Sequence, residues 1–300
     1  MNFNFDYIKN KNIIFAIAFL VVLAGLIYGI VTNYKFDIDF KGGTRIQVDL
    51  NEEYATSDIS DVVKSVTGEV PEIQSTSSGN NSVSITTQVI SEEVADEVVA
   101  ALRERYPQMG EATTKNVQAS YGKELLNSSI TAVIVSIILM LIYVAVRFRT
   151  LGWTAAVSAV LALVFDVCFL FAVYGVFKFP INSTFVAVIL TIIGYSINDT
   201  IIVYDRIREN KRLVTKSSQI KDTINESINQ TMKRTVITSL TTLTAIACVL
   251  VFALVKDQET LKQFSIPLAI GIVEGTFSSI FIASNLWYTI DNFVKKIKKA

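Results

Sequence analysis

FVAVILTIIGYSINDTIIVYDRIREN, residues 185–210, opens as one of the most apolar runs in the chain and then sets Asn198, Asp199 and Thr200 together. A second apolar run, IIVY, follows before the charges of Asp205, Arg206 and Arg208. A hydrocarbon core of about 30 Å is crossed by about 20 helical residues, and this stretch is long and apolar enough to do so. An ionised side chain at the bilayer centre costs about 2.5 to 3.5 kcal/mol on insertion scales, so such acids face a bundle interior or a wet cavity. Burial favours the neutral carboxyl and a nearby cation the ionised one, so an acid alternating between those surroundings binds and releases a proton. Asp199 reads as a proton-carrying group.

The same signal recurs along the chain. Of the 300 residues, 51% are hydrophobic and 18% charged. The excess falls in blocks at 13–31, 130–146, 153–177, 184–204, 236–255 and 264–290. This predicts an α-helical polytopic membrane protein with six transmembrane helices. Lys9 and Lys11 precede the first block as a signal peptide's basic region would. The block is too long for an h-region, however, and lacks a small-x-small cleavage pattern, so it reads as an uncleaved anchor. Cys168 and Cys248 both fall inside spans, where packing and not disulfide or metal chemistry is expected. There is no histidine. Proton chemistry must therefore run on carboxylates, with Lys, Arg or Tyr in support.

Basic residues orient the spans. They gather in residues 1–12, in RFRT after the second block, in the segment 205–235 and in the tail 291–300. Those parts, both termini included, are expected in the cytoplasm. Residues 32–129 then lie outside it. There, FDIDFKGGTRIQVDL (36–50) alternates as a half-buried strand interrupted by Gly42 and Gly43. TSDISDVVKSVTG reads as a helix capped by Thr56, Ser57 or Asp58 and stopped by Gly68. EIQSTSS and SVSITTQV, joined by GNN, read as a hairpin. A helix capped by Ser91 and a strand in EATTKNVQASYG complete a β-α-β-β-α-β order, which predicts an α+β ferredoxin-like extracytoplasmic domain. Such a fold names no ligand, and a rigid spacer is the plain alternative.

Two further acids lie within spans. Asp166 reads equally as a pathway group or as a helix-packing acid, and Glu274, inside GIVEG, as a structural or lumen-facing residue beside a Gly271/Gly275 close-packing face. Asp199 has Tyr195 and Ser196 four and three residues back on its helical face. Asp205, Arg206, Arg208 and Glu209 form an interfacial cluster. SSQIKDTINESINQTMKRT, with Ile220, Ile224 and Ile228 in register, reads as an amphipathic helix along the inner surface. Arg234 ends it, placed to pair with Asp199 or Asp205 in one state and release it in another. No nucleophile–base set, metal-ligand spacing or phosphate loop occurs, so neither an enzyme nor a cofactor is expected.

DFKGGT (39–44 within 36–50), GYSINDTIIVYDRIREN, KRTVITSLTT and TLKQFSIPLAIGIVEGTFSSI, in that order, resemble the SecF family of protein-export membrane proteins. The resemblance implies half of an RND-type bundle, completed by a SecD partner. It also implies work beside the SecYEG channel and YajC on unfolded preproteins, driven by the proton gradient across the bilayer, with no nucleic acid involved. It maps the family's intramembrane acid and basic partner onto Asp199 and Arg234, with Asn198, Thr200 and Asp205 alongside. Asp39, Gly42, Gly43, Gly194 and Arg206 would be family-motif positions. Many members carry a His-Asp pair in span three, and here Phe165 precedes Asp166. A scaffold that only stabilises SecD and the channel, or half of a small-molecule exporter, are the rival readings.

Overall fold

The computed structural model describes residues 6–75, 81–213, 220–256 and 258–298. Among them are six helices long and apolar enough to cross a membrane. They are α1 (Lys11–Val31), α5 (Ala119–Arg147), α6 (Trp153–Phe177), α7 (Ser183–Arg212), α8 (Ile220–Val255) and a last one beginning as α9 (Glu259–Phe277). α9 runs through a π-helical segment, Ser278–Ala283, into α10, Ser284–Ile297. α7 is the hub, packed against α5, α6, α8 and α9. α6 and α7 bury one face into a common core containing Leu163, Leu170, Ile189, Ile193 and Val203. α1, α5 and α8 leave Leu20, Ile138 and Val251 among many large apolar side chains exposed, as helices facing lipid or another protein do.

Between α1 and α5 lies a small α+β unit. Its elements are a one-turn helix α2 (Ile38–Lys41), β1 (Gly43–Asp49), α3 (Thr56–Thr67), β2 (Glu72–Ser75), β3 (Ser82–Thr87), α4 (Glu92–Arg105) and β4 (Thr113–Val117). The sheet is antiparallel in the order β2-β3-β1-β4, with Ile46 opposite Ile85 and Thr114. α3 and α4 cover one face, burying Ile59, Val63, Val98 and Leu102 against Ile46, Val48, Val83 and Ile85. Ser91 accepts from the Val94 N–H at the start of α4, and Gly68 ends α3 in the left-handed conformation.

Local chemistry overrode the sequence pattern in several places. Phe36–Lys41 is not a strand. Asp37 accepts from the Ile38 N–H at 2.6 Å and starts a helical turn, so the alternation in FDIDF reflects a cap and a turn. α3 begins after Ala55 with no side-chain cap, so none of Thr56, Ser57 and Asp58 plays that part. The GNN turn lies mostly outside the described residues. α5 begins at Ala119, so residues 119–122, read as part of the last strand, are helical, and 119–129 are the first turns of the helix that carries the second apolar block. The amphipathic segment is not a separate surface helix, because α8 runs unbroken from Ile220 to Val255.

Gly42 has a φ of 78°, and a Cβ there would lie 2.6 Å from the Ala119 Cα. Gly42→Ala combines backbone strain of about 1 to 3 kcal/mol with that clash. Its expected outcome is faster amide hydrogen exchange in β1 and β4, with exchange in α6 unchanged.

At the bundle end remote from the sheet, Asp6 pairs with Lys221 at 2.6 Å and accepts from Asn225 and the Lys9 N–H. Desolvation pushes this carboxyl up, but those donors outweigh it and hold it at about 2. The clasp is therefore complete above the ordinary aspartate value of 3.8 and fades as pH falls through about 2.

Candidate functional site, an acid cluster in the bundle and its tie to the sheet

Asp199 projects from α7 into the bundle with 0% exposure, and neither of its carboxylate oxygens has a hydrogen-bond partner among the described residues. Its flanking residues part ways, as successive residues about 100° apart on a helix must. Thr200 turns inward and donates to the Ser279 hydroxyl at 3.0 Å, whereas Asn198 lies on the exposed side of α7. Ser196 is buried, but its hydroxyl donates to Asp166 Oδ2 on α6 at 2.5 Å and not to Asp199. The Tyr195 hydroxyl is also buried without a partner.

Arg234, on α8, is the cation whose field reaches Asp199. It is exposed and forms no ion pair within 4 Å among the described residues, so the two groups are neighbours in charge without touching. Asp205 is held elsewhere. Its carboxylate bridges Arg147 of α5 and Arg208 of α7, each at 2.8 Å, and so clamps two helices at the end of the bundle. Arg206 pairs with Glu209 at 2.8 Å and donates to Gln230 of α8.

Asp166 and Glu274 come together across α6 and α9. Both are buried, at 1% and 6% exposure, and Glu274 is the titratable neighbour of Asp166. The approach depends on small residues. A Cβ at Gly275 would lie 3.2 Å from Ser196 Cβ, and one at Gly271 would overlap Ile192, so α9 lies directly on α7. The π-helical segment supplies two serines that sequence reading did not single out. Ser279 donates to the Ser196 carbonyl at 3.0 Å, and Ser278 lies beside Asp166. π-bulges gather at functional sites, but their one-residue offset leaves no periodic trace to read in a sequence. The described residues contain no group of three or more potential metal ligands.

The other end of α7 is tied to the sheet unit. Asn182 caps the helix by accepting from the Phe185 N–H at 3.1 Å. Asp39 adds a carboxylate at the same terminus, where the helix dipole favours negative charge, and accepts from the Ser183 N–H at 3.1 Å and the Ser183 hydroxyl at 2.6 Å. Its second oxygen takes Lys115 of β4 at 2.7 Å. Burial raises the Asp39 carboxyl, but Lys115 and Ser183 outweigh that and hold it below the ordinary value. Asp37 pairs with Arg45 of β1 and accepts from Asn182. The backbone joins in, with Asp37 N–H donating to the Ile181 carbonyl and Ile181 N–H to that of Lys35. Gly42 and Gly43 let this turn close, since a Cβ on Gly43 would meet the Thr87 carbonyl at 2.7 Å. Gly194 has nothing within 4 Å of its Cβ position and faces outward, so this chain alone gives it no packing role.

Residues 97–292 match the family model for the C-terminal region of the protein export membrane proteins SecD and SecF. The protein translocase subunit SecF of Sebaldella termitidis is 34% identical over 97% of this chain and 93% of its own. SecDF of Bacillus subtilis is 30% identical over 94% of this chain, which spans 37% of that longer protein. The crystal structure of SecDF from Thermus thermophilus, a translocon-associated membrane protein, superposes with a TM-score of 0.83 at 30% identity, covering 96% of this chain and 39% of that one. A bundle hub bearing a buried acid, a sheet unit after the first span and these matches lead to one conclusion: the chain belongs to the SecD/SecF family of protein-export membrane proteins, on its SecF side.

Proposed function

We propose that this chain is an accessory subunit of the Sec preprotein translocase in a bacterial cytoplasmic membrane. It acts with SecD, beside SecYEG and YajC, and uses the proton gradient to promote late stages of export of unfolded preproteins. It is a mechanical coupler and not an enzyme. Asp199 carries the proton and Arg234 is its electrostatic counterpart. The observation that carries this reading is the position of α7. One continuous helix holds near its middle a buried acid without a hydrogen-bond partner among the described residues, and is tied at its N-terminus to the base of the sheet unit by Asp39 and by its own cap Asn182, which donates to Asp37. A proton on Asp199 would remove its attraction to Arg234 and change how α7 packs on α8, and Asp39 would pass the shift to the sheet. A proton crossing 100 mV supplies about 2.3 kcal/mol. That biases a two-state element some tens-fold.

The sheet unit is ferredoxin-like and extracytoplasmic in this reading, supported by its β-α-β-β-α-β order and β2-β3-β1-β4 arrangement. Arg147, Arg149, Arg206, Arg208, Lys211 and Arg212 lie at the bundle end away from it, which favours cytoplasmic termini. SecD would cover the open face that carries Asn198 and Gly194.

The test uses inverted membrane vesicles depleted of this chain. Restoring it together with SecD is expected to raise preprotein translocation when a proton gradient is present and to do little without one. Equal stimulation in both conditions would leave a scaffold.

A further inference from the structure

We propose that Asp166 and Glu274 share one proton and form a second intramembrane proton site, distinct from Asp199. Both side chains are more than nine-tenths buried, and they meet from different spans. Asp166 Oδ2 accepts from Ser196, whereas Asp166 Oδ1 and both Glu274 oxygens have no hydrogen-bond partner among the described residues. α7 faces the pair with Ser196, and the π-helical segment faces it with Ser278. Among the described residues no Lys or Arg forms an ion pair with either carboxyl, and the two acids are each other's neighbours. Two adjoining carboxylates in an apolar site do not both stay ionised, because their repulsion adds to the desolvation of each. A single proton resolves both difficulties. It halves the charge, and as a carboxyl O–H on one acid it donates to a bare oxygen of the other.

The pair is linked to the Asp199 face without being part of it. Thr200, next to Asp199, donates to Ser279, which donates to the Ser196 carbonyl, and the Ser196 hydroxyl binds Asp166. The shared proton holds α6 to α9, and its loss would drive the two helices apart. The site thus adds a second titrating contact to the one proposed at Asp199, and it stands whether or not Asp199 couples to export.

The test is infrared spectroscopy of the full chain, reconstituted with its partner at neutral pH, in the carbonyl-stretch region of protonated carboxyl groups. Glu274→Gln and Asp166→Asn are each expected to remove the same single band, because either change leaves one acid with an amide donor and no need of the proton. Bands identical to wild type in both variants would overturn the proposal. So would loss of the wild-type band on adding sodium chloride but not choline chloride at constant pH, which would mean that a metal ion bridges the acids. Where the variants fail to assemble, the wild-type protein decides through dicyclohexylcarbodiimide, which adds to protonated buried carboxyls. An adduct on Glu274 or Asp166 supports the shared proton, and modification of Asp199 with neither of the pair modified overturns it. Because Asp199→Asn leaves the pair's band in place, failure of this proposal and failure of the Asp199 reading are told apart.

Discussion

Asp199→Asn, at membrane levels matched to wild type, is expected to reduce gradient-stimulated translocation to that of vesicles lacking the chain, with assembly intact. The amide keeps the size of the carboxyl and cannot ionise. Among the described residues no hydrogen bond depends on the acid, since both of its oxygens lack partners there. The substitution therefore removes a charge and little packing, and a large functional loss would come from the charge. Arg234→Lys keeps a cation and is expected to retain part of the activity, whereas Arg234→Met loses it. Equal loss in the two Arg234 variants would point to guanidinium geometry in place of charge, because a lysine is a point charge without a planar fork.

Asp39→Ala is expected to have an effect of similar size at a site remote from Asp199. It strips the N-terminus of α7 of a carboxylate, leaves the Ser183 N–H and hydroxyl without their acceptor, and frees Lys115. Hydrogen bonds to a charged group are worth about 1.5 to 3 kcal/mol each. The Lys115 part counts for less, because that side chain is half exposed and solvent screens it. Export should fall towards the level without the chain while the six spans still fold, and hydrogen exchange should rise at Ser183–Phe185 and in β4. Asp39→Asn keeps an acceptor and should lose less. The sign of the pH dependence follows. Asp39 is held below its ordinary value of 3.8 in the folded chain, so the joint is fully stabilised above that value and weakens as pH falls through the lower one. Exchange at Ser183 measured down a pH series checks this, and the same series on Asp39→Ala should show no such step.

Hydropathy made the spans legible because a membrane core imposes both length and apolarity. It could not show how far helices run beyond the apolar blocks. Ala119–Gly122 reads as the end of a strand and the residues up to Ser129 as part of the domain before the second block, yet all of them form the first turns of α5, and Ile220–Arg234 reads as a surface helix, yet it is the first part of α8. Period-two alternation misled at Phe36–Lys41, where Asp37 and Asp39 serve as acceptors for a turn and for another helix. In the bundle, an isolated acid in an apolar run made Asp199 a candidate, and the structure buries its side chain among the helices. Spacing on one helix then assigned Ser196 to Asp199, but side-chain direction across α6 gives it to Asp166. The meeting of Asp166 with Glu274 is tertiary, set by glycines that let α9 close on α7, and nothing local to either acid announces it.

The claim that protonation in the bundle moves the sheet unit is tested most directly by a distance measurement. Spin labels at the exposed positions Ser65 on α3 and Thr260 on α9, with Cys168 and Cys248 replaced by alanine, report that separation by pulsed electron resonance. In the complex with SecD, the wild-type distribution should shift between pH values that protonate and deprotonate the bundle acid, and Asp199→Asn should stay at the low-pH distribution throughout. Identical distributions for wild type and Asp199→Asn at every pH would contradict the coupling.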